Sequence, residues 1–155
     1  MLLKWILVIL HIITAAAWFG IGLRLTGQAR AVLNREGDAR AALTQEGGRS
    51  VWLMNLFVVL TLVFSLGAFV AGGHFAAYGP VYHTAVLLIV LLTADQLFVI
   101  RGGWATLESL AGEASPDPDA LERAKKRVAI GTGVGHLIWL VLLVLMFANR
   151  LLGAL

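Results

Sequence analysis

Polar residues are scarce over four long stretches of this chain and crowded between them. The apolar runs are drawn as Leu2–Leu23, Val51–Gly73, Val81–Ile100 and Val128–Leu151. Each supplies about the 20 residues that a helix needs to cross a hydrocarbon core of about 30 Å. The pattern predicts four membrane spans. Four such spans predict an all-α, up-down four-helix bundle embedded in a lipid bilayer. The chain has 155 residues, of which 59% are hydrophobic. That is above the roughly 45–50% of soluble domains, and the length fits one transmembrane domain.

Charge then orients the bundle. Arg24, Arg30, Arg35, Arg40 and Arg49 fall between the first two runs, and Arg101, Arg123, Lys125, Lys126 and Arg127 between the last two. Those ten take most of the 12 basic residues, whereas "HFAAYGP" carries none. The positive-inside rule makes both basic loops cytoplasmic and puts both termini outside. The net charge of +3 is thereby read as topology and not as a nucleic-acid footprint. Lys4, an apolar run and Ala15-Ala16-Ala17 imitate a signal peptide, but the apolar stretch runs on to Leu25, so a retained span is expected.

Local signals complete the outline. Asp117 followed by Pro118 reads as an N-cap and first helical residue for the fourth helix. Gly79-Pro80 reads as a turn restarting the chain into the third. The Ala/Leu/Arg pattern of the first basic loop reads as a helix lying on the membrane surface. Trp5, Trp52, Tyr78, Tyr82 and Trp104 fall near span ends, where aromatic belts form.

Polar groups inside the spans are costly and are where function is expected. At about 1.5 Å per residue, His11 lies about 13 Å below the outer surface and His136 about 13 Å above the inner one. In a core of about 30 Å the two fall at nearly one level, where they could share a ligand. Trp18 and Thr14 lie on the His11 face, with Ala15 leaving room. Gly131 and Gly135 stack just before His136; they serve either helix packing or the close approach of a flat macrocycle. Two neutral imidazoles in a dry bundle fit haem b; zinc would want more ligands. His74 and His83 flank the outer loop as a candidate copper site. Asp95, with Asn55 entering from the same side, forms a polar pocket suited to a proton path or to a quinone or porphyrin head group. No cysteine is present, which excludes thiolate metal sites and covalent haem attachment. No catalytic group stands out.

The string "LHIITAAAWFGIGLRL", with His11, Trp18, Phe19, Gly20 and Arg24, resembles the first helix of the small membrane protoporphyrinogen IX oxidases. The related copper-resistance D-type membrane proteins are similar in layout. In "GPVYHTAVLL", His83 keeps the histidine of the oxidases' aromatic-x-His-x-Lys start to helix three, while Ala85 stands at the lysine position. The resemblance implies a haem protein of the bacterial cytoplasmic membrane with His11 as a ligand and His136 or His83 opposite. Two functions are therefore expected as alternatives. One is electron transfer by haem b from a quinone or porphyrin donor, as an oxidoreductase or a subunit of one. The other is a non-catalytic or copper-handling bundle that docks in a larger complex or forms a homo-oligomer through Gly67/Ala71 and Gly131/Gly135.

Overall fold

The computed structural model describes residues 2–73 and 81–152, with side-chain environments for 2–73 and 82–147. Its elements are α1 (Leu2–Leu33), α2 (Gly37–Ala71), α3 (Val81–Ala94), a π-helical turn (Asp95–Ile100), α4 (Arg101–Ala111) and α5 (Pro118–Leu152). The segment α3, the π turn and α4 run on without a break, giving four long rods packed up-down. Each of the four is long and apolar enough to cross a membrane. The chain is an integral membrane protein built as a four-helix bundle. Gly79-Pro80, Tyr78 and His74 lie outside the described residues.

The basic loops are not loops. Only Asn34, Arg35 and Glu36 separate α1 from α2, and the turn closes through Gly37 at φ +53°, a left-handed conformation that suits glycine. The expected surface-lying helix is thus absent among the described residues, and both helices instead project past their apolar runs. The reason is in their buried positions: Trp18, Gly22, Leu25, Ala29 and Val32 on α1, and Thr44, Gly47, Val51, Met54, Val58 and Thr61 on α2. Both sets alternate steps of three and four, the seam of a left-handed bundle. A helix lying flat would expose that seam.

Asp117 caps α5 as expected, its Oδ1 accepting from the Asp119 N–H at 2.9 Å. Trp5 and Trp52 are exposed, as a belt requires. Trp104 is not a belt residue. It is 2% exposed, its Nε1 donates to the Thr44 carbonyl at 3.3 Å, and its ring lies directly over Gly47. It forms, with Leu107, Leu121, Ala124 and Val128, the core of the bundle's basic end.

Packing is uneven along the axis. The largest fully buried side chains lie from Val58 and Leu92 toward the basic end, while no residue of α1 before Thr14 is buried. The opposite half of the bundle is splayed, and cavities open there.

Candidate functional site

His11 projects from α1 toward α2, where its Nδ1 lies 3.1 Å from the Thr61 carbonyl oxygen. A carbonyl only accepts, so Nδ1 carries the proton and Nε2 keeps a lone pair. The Thr61 carbonyl is fixed in turn by its own helix, whose hydroxyl at the same residue lies 3.0 Å from the Thr14 hydroxyl. His11 lines two adjoining cavities of about 320 and 450 Å³. No hydrogen bond among the described residues uses Nε2, so its lone pair is left to that space. The inner cavity is walled by Ala15 and Ala16, Val58, Ile89 and Leu142, with Trp18 as its floor. The outer one opens past Ser65 and Ala85 to Lys4 and Tyr82. The walls of the inner cavity are almost wholly apolar, and the small side chains at Ala15 and Ala16 are what make room there.

His136 does not belong to this chamber. Its Nε2 sits 2.7 Å from where a Cβ on Gly22 would lie, and its ring packs on Phe19 at 4.7 Å and edge-on to Trp18 at 5.7 Å. His136 is therefore level with residues seven to eleven positions beyond His11 on α1, about 10–16 Å along the axis. A shared metal would need both nitrogens within about 4 Å of each other, twice a metal–imidazole bond of about 2 Å. The structure does not bring His11 and His136 together. Depths counted from the ends of the apolar runs mislead here, because α5 begins ten residues before Val128 and the rods pack with their basic ends extended.

A second polar layer lies at that deeper level. Trp18 Nε1 donates to Gln96 Oε1 at 3.0 Å, and Gln96 Nε2 donates to Asn55 Oδ1 at 2.9 Å. Asn55 thus meets Gln96 and not Asp95. The π turn presents both acid and amide to the interior, its register set by the i to i−5 bond from the Arg101 N–H to the Gln96 carbonyl. Arg127 completes the turn by donating to the Phe98 carbonyl at 2.9 Å. Asp95 Oδ2 and His136 Nε2 are both buried with no hydrogen-bond partner among the described residues. The π turn, the Gln96 relay and the Arg127 bond were missed by sequence reasoning; a Gln beside an intramembrane Asp was the one available signal.

Gly131 and Gly135 face protein. A Cβ on Gly131 would lie 2.8 Å from Ile100 Cγ1, and one on Gly135 would lie 3.1 Å from the Trp18 ring and 3.2 Å from Asp95 Oδ2. Their bare backbone admits the π turn and Trp18, not a macrocycle. Gly131→Ala, whose Cβ would lie 2.8 Å from Ile100 Cγ1, is expected to lower stability by about 1–3 kcal/mol through overpacking, read as a fall in the thermal midpoint of the detergent-solubilised protein. Gly133→Ala, where nothing lies within 4 Å, is the control and should leave the midpoint unchanged or slightly raised.

His83 is exposed at the start of α3 and lines neither cavity, whereas Ala85 does. His74 is outside the described residues, and no group of three metal-binding side chains occurs among the described ones. Comparison of the chain with protein-family models, with curated proteins and with solved structures gave no match.

Proposed function

We propose that this integral membrane protein binds haem b in the chamber around His11 and serves electron transfer in a bacterial cytoplasmic membrane. The observation that carries the reading is the His11 tautomer: Nδ1–H is committed to the Thr61 carbonyl, so Nε2 offers the chamber an electron pair and no proton. Metal-binding histidines are held in this way, the second nitrogen donating to a carbonyl that sets the ring's orientation. A quinone carbonyl, which needs a donor, finds none at Nε2; iron, or a quinol hydroxyl, would. When bound, haem iron supplies one-electron chemistry whose potential depends on axial ligation and burial. The chain's own groups hold and shield it. Ala15 and Ala16 leave room for the ring, the aliphatic walls exclude water, and Lys4 at the outer mouth, its Nζ 5.6 Å from the Trp5 ring, supplies a cation for acidic side groups. The charge distribution of the sequence puts this mouth on the outer face. The resemblance of helix one to the porphyrinogen oxidases and their copper-resistance relatives is in keeping with His11 as ligand, and Ala85, which lines the same chamber, brings no second one.

The test is a reduced-minus-oxidised visible spectrum of the full chain, expressed with ample haem and purified in mild detergent. A b-type spectrum is expected from the wild type, a loss of at least tenfold in bound haem from His11→Ala, and full retention in His136→Ala. A colourless wild type, or a spectrum indifferent to His11, would overturn the reading and leave a membrane scaffold that packs in a larger complex or on itself.

A further inference from the structure

Met146 is among the side chains of α5 that stand level with His11. Phe19 on α1 touches both His136 and Trp139 on α5, with ring centroids 4.7 and 4.3 Å away, and this fixes the register of the two antiparallel rods. His11 is eight residues nearer the outer end of α1 than Phe19. Eight residues toward the same end of α5 from His136 and Trp139 lie 144 and 147, and equal rise on both helices keeps the levels matched. Met146 falls inside that window. It also lines both cavities that His11 lines.

Among the other residues around the chamber, few could approach a metal. Lys4, Ser65 and Tyr82 line only the outer cavity, Thr61 lines only the inner one, and the remaining lining residues are hydrocarbon or indole. Among the described residues, Met146 is the one side chain with a ligating atom, besides His11, that both cavities share. Its thioether is unbranched and adaptable, soft enough for haem iron, and carried on a helix that packs against α1.

We infer that Met146 would hold the haem iron together with His11, so that the chamber would offer one histidine and one methionine to the metal, from α1 and α5. This rests on the haem reading above and deepens it. It also assigns the ligand partner expected of His136 to a residue ten positions further along the same helix, about 15 Å nearer the outer surface. Methionine–histidine ligation raises the reduction potential over two histidines, which suits an acceptor of electrons better than a low-potential donor.

The experiment compares full-length wild type with Met146→Leu and Met146→His, measuring haem content, spin state by electron paramagnetic resonance and visible spectroscopy, carbon monoxide binding, and midpoint potential. The wild type should be six-coordinate and low-spin. Met146→Leu, close in volume and in a partly lipid-facing position, should keep its haem but turn high-spin and bind carbon monoxide readily. Met146→His should stay low-spin with a lower potential, which tests the position even if the leucine variant folds poorly. A pigmented wild type that is already high-spin, or a Met146→Leu protein with an unchanged low-spin spectrum, would overturn the axial pair while leaving His11 as a haem ligand. A colourless wild type would overturn both.

Discussion

Trp104→Ala is expected to cost about 3–5 kcal/mol, the range for emptying a fully buried aromatic site. The indole is 2% exposed and holds three rods together: it belongs to α4, bonds the Thr44 carbonyl of α2, and lies in one cluster with Leu121 and Val128 of α5. Its place beyond the apolar run of the third rod raises the effect. Within lipid, removing apolar surface between helices gains nothing from water, because the surroundings are as apolar as the interior. Past Arg101 the helices carry the chain's charge and meet water, so burial there contributes at about 25 cal/mol per Å². The basic end is accordingly where the hydrophobic effect clamps the bundle. Its complement is a paired test on α2. A Cβ on Gly47 would stand inside the Trp104 ring, whereas one on Gly48 would meet Glu108 and Trp104 at ordinary contact distances of 3.5 and 3.6 Å. Gly47→Ala should therefore approach the Trp104→Ala loss, and Gly48→Ala should be neutral or gain up to about 1 kcal/mol of helix propensity. Chemical unfolding in mixed micelles, followed by tryptophan fluorescence for the glycine pair and by helical circular dichroism for all three, measures these differences. Equal loss from the two glycine variants would mean that the ring does not occupy the notch.

What the sequence made legible follows from how much contrast each feature had. Four spans, their number and their up-down order were readable because charge and apolarity alternate in blocks of twenty residues. The cap at Asp117 was readable because Asp-Pro has one good local use. The inward seams on α1 and α2 were not, since in a membrane the residues facing lipid are as apolar as those facing the core. Leu53 and Met54, or Val58 and Val59, look alike in composition, yet in each pair one is buried and one exposed. The same lack of contrast hid the register between rods, and with it the separation of His11 from His136. Histidine depth was counted from the ends of the apolar runs, but the rods are aligned by contacts such as Trp104 on Gly47 and Phe19 on Trp139. Trp104 itself was misplaced for a related reason: a tryptophan just past a span faces outward or inward according to the register of its helix, and Trp104 falls on the inward face, over Gly47. Of the site, His11, Trp18, Asp95 and Asn55 were singled out as polar or aromatic groups in apolar surroundings. Met146, which lines the chamber, gave no such signal, because a methionine in a hydrophobic run costs nothing.

Gln96→Leu is expected to destabilise the bundle by about 2–4 kcal/mol, since each buried polar group left without its partner costs about 1–3 kcal/mol. Gln96 is 0% exposed and stands between two partners, accepting from Trp18 Nε1 and donating to Asn55 Oδ1. Leucine is close to glutamine in volume, so the loss comes from the two orphaned groups rather than from a void. Interhelical hydrogen bonds in membranes often contribute below about 1 kcal/mol net, and a simple loss of two such bonds would give less than this. The two accounts separate in a double-mutant cycle. If orphaning dominates, removing Asn55 as well, in Gln96→Leu with Asn55→Leu, should return about half of the loss, because one stranded acceptor has been replaced by hydrocarbon. If the bonds alone matter, the second substitution should return nothing. Trp18 offers a third reading of the same experiment. Its indole forms the floor of the His11 chamber and is held there by Gln96, so freeing its N–H should let the ring shift. If the chamber binds haem as proposed, its retention should then fall in Gln96→Leu even in micelles where helicity is intact, and should not recover in the double variant, which still lacks the Trp18 acceptor. Recovery of both stability and haem in the double variant would show that Gln96 supports the bundle and does not position the chamber floor.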